Sequence, residues 1–135
     1  MKIVMVIDPE LPLGLIANTA AVLGLSLGNQ VEALVGPAIP DADDRLHAGI
    51  TSVNIPILSA PRTAIQALRA SLYGPEFAAV RVIDFSSVAQ RSKSYADYTQ
   101  TLAVAGEPDL RYLGICLYGP ETPINHLTGS MRLLR

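Results

Sequence analysis

Residues 1–30 constrain the fold more than any other stretch. Lys2-Ile-Val-Met-Val-Ile7 is a short apolar, β-branched run closed by Asp8-Pro9, and it reads as a buried strand. Leu15 to Leu27 is almost wholly apolar and too long for a strand, so it reads as a helix. Its polar exceptions, Asn18 and Thr19, fall in its first turns. In open α/β sheets ligands sit outside the carboxyl ends of strands, often on a helix N-terminus. The Leu11-Pro-Leu-Gly14 junction between this strand and this helix is therefore where part of a site is expected.

The rest of the chain alternates in the same way. Gly28-Asn29 suits a left-handed stop for helix one. Val31 to Val35 reads equally as helix or short edge strand, and Gly36 to Asp44 as a surface loop. Val53, Ile55 and Ile57 alternate along a second strand, Val53–Leu58, where Pro56 argues for an edge position. Ala60-Pro-Arg-Thr63 opens a helix with Ile65, Leu68 and Leu72 at helical spacing, ended by Tyr73-Gly74-Pro75. Ala79 to Phe85 is a third strand, with Val80, Val82 and Asp84 on one face and Arg81, Ile83 and Phe85 on the other. Ser86 or Ser87 can cap a helix whose stripe is Val88, Tyr95, Tyr98 and Leu102, running to Ala105. Leu110 to Tyr118 is a long apolar strand suited to a central position, and Thr122 to Leu133 a final helix. Strands alternating with helices predict a three-layer α/β/α fold in a single domain, 1–135.

Half of the residues are hydrophobic and 16% are charged, which fits a packed core and not a disordered tail. The net charge of −2 has no basic run, so nothing pulls the chain toward nucleic acid or an anionic membrane. No apolar segment approaches the ~18 residues of a membrane span, and the N-terminal run is too short for a signal peptide. A cytoplasmic protein is the expectation. The one cysteine, Cys116, excludes an internal disulfide and reads as a small core hydrophobe. A surface short of charge, together with the Val88–Leu102 stripe, points to a homodimer.

Gly24-Leu-Ser-Leu-Gly28 matches the nucleophile-elbow pattern, but Ser26 ends a helix and does not follow a strand. There is no phosphate-loop or dinucleotide pattern and no metal-ligand spacing around His47 or His126, so neither a cofactor nor a metal is expected. Asp84 stands out because a carboxylate at the end of a buried strand must be paired, hydrogen-bonded or facing a cleft. It either caps the Ser86–Ser87 turn or works as a catalytic group. Asn18 either bonds the strand-one backbone or orients a ligand through its amide. Asp8 closes the turn before Pro9, or joins Gly14 at the ligand junction. Thr128-Gly129 shapes the last helix. His47 is a solvated loop residue or a general base near neutral pH.

The stretches Lys2–Ile7, Leu11–Gly14, Leu113-Gly-Ile-Cys-Leu-Tyr-Gly-Pro120, Leu127-Thr-Gly129 and Leu133 together resemble the type II peptidyl-tRNA hydrolase fold. More closely still, Asp8, Leu11-Pro12, Gly14, Asn18, Leu27-Gly28, Thr128-Gly129 and Leu133-Leu-Arg135 resemble the pattern of the family called domain of unknown function 2000, a relative of those hydrolases. The resemblance implies a four-stranded mixed sheet with strands one and four central, and a Ser86–Gly106 insertion. It places Asp84 at the hydrolases' functional aspartate, brings Thr128 near the same cleft, and also suggests self-association. Where the hydrolases carry a lysine, a glutamine and two histidines, however, this chain has Leu15, Thr19, Val22 and Ser130. The reading is a protein that binds or hydrolyses a small polar ligand in a pocket at the start of helix one, with Asn18 and Asp84 in one cleft. The alternatives are a divergent peptidyl-tRNA hydrolase and a non-catalytic binding or assembly domain.

Overall fold

The computed structural model describes residues 1–135. Its strands are β1 (Lys2–Ile7), β2 (Ile39–Pro40), β3 (Leu46–His47), β4 (Ile57–Ser59), β5 (Arg81–Ser86), β6 (Tyr112–Gly119) and β7 (Arg132–Leu133). Its α-helices are α1 (Leu13–Gln30), α2 (Arg62–Ser71), α3 (Ser87–Arg91), α4 (Tyr95–Ala103) and α5 (Glu121–Thr128). The main sheet has the order β5-β6-β1-β4-β7. It is mixed: β1 and β4 run parallel, while β1–β6, β5–β6 and β4–β7 are antiparallel.

β1 and β6 are central because they are apolar on both faces. One face of the sheet, with Val4, Val6, Ile115 and Leu117, packs on Ile65, Leu68 and Leu72 of the α2 segment and Ile124 of α5. The other, with Ile3, Met5, Ile7 and Cys116, packs on Leu23 and Leu27 of α1. Thr19, Leu23 and Leu27 are spaced by four, so one stripe of α1 meets the sheet. Each fully buried leucine contributes about 1.5–3 kcal/mol. The stripe comes unusually close at Gly114, where a built Cβ would lie 2.7 Å from Thr19 Cγ2 and 3.2 Å from Ile7 Cγ1. Glycine there is what lets the helix settle on β6.

The sheet has five strands, not four. The final helix ends at Thr128, and Arg132–Leu133 pairs with β4 as an edge strand. β4 therefore lies inside the sheet despite Pro56. That proline precedes the strand, and its carbonyl accepts the Met5 N–H at 3.0 Å, so the missing N–H is not needed. Helix one starts at Leu13 and ends at Gln30, and the left-handed residue comes later, at Ala33 with φ 64°. The expected long helix after β5 is two helices. Ser94 breaks it by capping α4, its Oγ accepting the Asp97 N–H at 3.0 Å. The expected loop at 36–44 contributes β2 to a small hairpin with β3. No helix is long and apolar enough to cross a membrane.

Candidate functional site

A concavity runs along the open edge of β5. α1 forms one wall through Val22, Ser26 and Gln30, and the α3–α4 segment forms the other through Ser92, Lys93, Tyr95 and Tyr98. The groove measures about 570 Å3. That lies within the roughly 300–1,000 Å3 typical of small-ligand pockets. Ile83, Phe85 and Ala89 supply an apolar floor. Tyr95 and Tyr98 meet edge to face, with ring centroids 5.6 Å apart, and Tyr95 is 81% exposed at the lip. Burial, helped by the charges of Asp84 and Tyr95, pushes the Tyr98 hydroxyl above its ordinary pKa. It stays a neutral donor at physiological pH.

The backbone of β5 also belongs to the groove. Asp8 N–H donates to Leu113 O at 3.1 Å, next to the Ile7–Gly114 pair. Antiparallel ladders alternate, so Leu113, Ile115 and Leu117 bond toward β1, while Gly114, Cys116 and Tyr118 bond toward β5. Their partners are Phe85, Ile83 and Arg81. The peptide groups of Val82 and Asp84 consequently point outward into the groove. No side chain or loop of the protein bonds them.

The Asp84 carboxylate is held on the other side of the sheet. Its Oδ2 accepts the Arg69 Nε–H at 2.9 Å, and the Arg69 guanidinium stacks 4.1 Å over the Tyr73 ring. Nearby, Tyr112 donates its hydroxyl to Glu107 Oε2 at 2.9 Å. Burial first, then that bond and the charge of Asp84, raise the Tyr112 pKa well beyond its usual value. The Arg69–Asp84 pair ties α2 to β5, and the Tyr112–Glu107 bond ties β6 to the turn before it.

The family described as "protein of unknown function (DUF2000)" matches residues 1–135. The chain belongs to this family. Among solved structures, a protein of unknown function from Agrobacterium tumefaciens strain C58 is similar, with a TM-score of 0.86 and 13% identity over 98% of this chain and 96% of that one. At that identity the likeness shows a shared fold. No functionally curated protein matches the chain.

In this DUF2000 protein the residues singled out from sequence do not converge. Asn18 is exposed on α1, whereas Asp84 points to the α2 face and pairs there. The shared Asn18–Asp84 cleft does not form, because α1 and α2 lie on opposite sides of the sheet. His47 sits on the hairpin, its Nε2 2.8 Å from Asp41 Oδ2. That contact, followed by the N–H groups of Arg45 and Asp43, holds the Asp41 carboxyl below its usual range. His47 is thus part of a turn. Thr128 is buried and spends its hydroxyl on Ile124 O at 2.7 Å. Gly14 is exposed with open space around it. Asp8, 2% exposed, accepts the Glu10 N–H at 2.9 Å and stands 3.6 Å from Arg111 Nη2. It closes the turn after β1.

The groove uses the far half of helix one, not its start. Sequence reading set Ser26 aside as a motif match in the wrong context, and missed Gln30, Lys93 and the outward backbone of β5. The available signal was Ser94-Tyr-Ala-Asp97, a helix-start pattern inside what looked like one helix.

Proposed function

We propose that this DUF2000 protein is a ligand-binding domain of peptidyl-tRNA hydrolase II-like fold, taking a small amphipathic ligand in the β5 groove without hydrolysing it. One observation carries the reading: an apolar floor and two tyrosines stand beside backbone donors and acceptors that have no protein partner. Such a mixture suits a ligand with a flat apolar body and a polar edge. Hydrolysis fits less well. The carboxylate of Asp84 is occupied by Arg69, and His47 is occupied by Asp41 outside the groove. Of the positions matching the hydrolases' polar groups, three serve packing here, and the fourth, Ser130, is exposed in the turn after α5. Thr19 is buried, with its hydroxyl on Leu15 O, and Leu15 and Val22 pack on the α1 core.

The test is a fragment titration of the 15N-labelled chain followed by NMR. Fragments shift resonances of Val22, Ser26, Ala89 and Tyr98, and Tyr98→Ala weakens them. Fragments clustering instead at the Asp8–Arg111 end of the sheet would refute the assignment. Release of N-blocked aminoacyl groups from tRNA within tenfold of an authentic hydrolase, abolished by Asp84→Ala, would overturn the non-hydrolytic reading.

A further inference from the structure

We propose that the ligand of the β5 groove is a short extended peptide carrying an acidic group, which pairs with β5 as an added strand. The inference rests on the groove being a ligand site and names the chemistry that fills it. Val82 and Asp84 present N–H and C=O groups along one edge, two residues and therefore about 6.6 Å apart. An extended peptide carries its own donors and acceptors at that same repeat. Its alternate side chains then reach the Ile83–Phe85 floor beside Val22, while the intervening ones face the tyrosine wall.

The walls say what kind of strand fits. α1 and the α3–α4 segment rise on either side of the edge, and the volume between them is that of a small-ligand pocket. A single short chain enters; the edge of another folded sheet would bring its own neighbours against the two helices. The charge says which peptide. The charged lining residues are Asp84 and Lys93, and Asp84 is paired with Arg69. Lys93 is exposed on the wall and is the one cationic side chain of the lining, its backbone N–H donating to the Asp97 carboxylate at 3.2 Å. Its attraction is for a carboxylate at the lip.

The probe is acetyl-Leu-Glu-Leu-methylamide, titrated into the 15N-labelled chain. The Val82 and Asp84 amide protons move downfield on binding. N-methylation of the peptide's backbone amides lowers affinity at least tenfold, whereas replacing its Glu by Gln lowers affinity severalfold for the native chain and not for Lys93→Gln. Val82→Pro removes an outward donor without touching the β6 ladder, and it weakens the peptide. Should that variant misfold, the N-methylated peptide still decides. Fragments that shift the groove while the peptide leaves the amides of residues 82 and 84 unmoved would overturn this inference alone. Silence toward both would sink the ligand reading as well. Amides of residues 82 and 84 that shift with protein concentration and no peptide would assign the edge to a second copy, and would also overturn it.

Discussion

Gly114 permits a quantitative test of how closely α1 lies on the sheet. In Gly114→Ala the new methyl meets Thr19 Cγ2 at 2.7 Å, Ile7 Cγ1 at 3.2 Å and Val6 O at 3.3 Å. All three lie in the centre of the fold, where Thr19 and Ile7 are fully buried. Overpacking of this kind costs about 1–3 kcal/mol. The shortest contact is to a single methyl, which Thr19→Ser removes while keeping the hydroxyl bond to Leu15 O. By itself Thr19→Ser loses one buried methyl, about 1 kcal/mol. Because the two residues meet, the pair is not additive: the double variant is no less stable than Gly114→Ala alone, a coupling of about 1 kcal/mol. Urea unfolding followed by far-UV circular dichroism measures all four chains. Single-site costs that add to within about 0.5 kcal/mol would show that the two residues do not meet.

Other outcomes follow from individual residues. Ala33→Gly relieves a left-handed backbone that disfavours a Cβ, and raises stability by about 0.5–1 kcal/mol in the same assay. Burial pushes the Cys116 thiol up from 9.0 to about 12, so its contribution is fully present below pH 9 and is lost as pH rises to 12, by about 4 kcal/mol at most. Cys116→Ala flattens that alkaline slope in pH-dependent denaturation, and a native chain with no such slope would contradict the burial. Arg69→Met separates the half-buried pair with Asp84 and destabilises by about 1–2 kcal/mol, leaving fragment binding in the groove within twofold. His47→Ala leaves the thermal midpoint and the groove titration unchanged, because its partner is an exposed turn carboxylate.

The legible parts of the sequence were those with long periodic patterns. β1, β6 and α1 are long, mostly apolar runs, so their type followed from hydrophobicity, as did the central place of β6; that of β1 was implied by the family resemblance. β7 is two residues long and has no period to detect. Pro56 misdirected because its carbonyl, not its nitrogen, faces β1. The face assignments on β5 were readable from alternation, yet the partner of Asp84 was not. Arg69 lies on a different element and reaches Asp84 only once α2 is packed on the sheet. The groove was hidden for a related reason. It exists because β5 is an edge strand, and strand order is decided by the pairing of distant segments.

α4 has no buried residue; its main neighbour is the five-residue α3, and the two are joined through Ser92-Lys-Ser94. A helix anchored so lightly opens as its own unit, far more readily than the sheet beneath it. The outer wall of the groove is then a door, and the measured affinity is the intrinsic affinity reduced by the fraction of time that door is shut. Strength of binding becomes adjustable from the hinge. Removing the Ser94 cap, worth about 1 kcal/mol, would loosen every occupant through the hinge, whatever its own contacts.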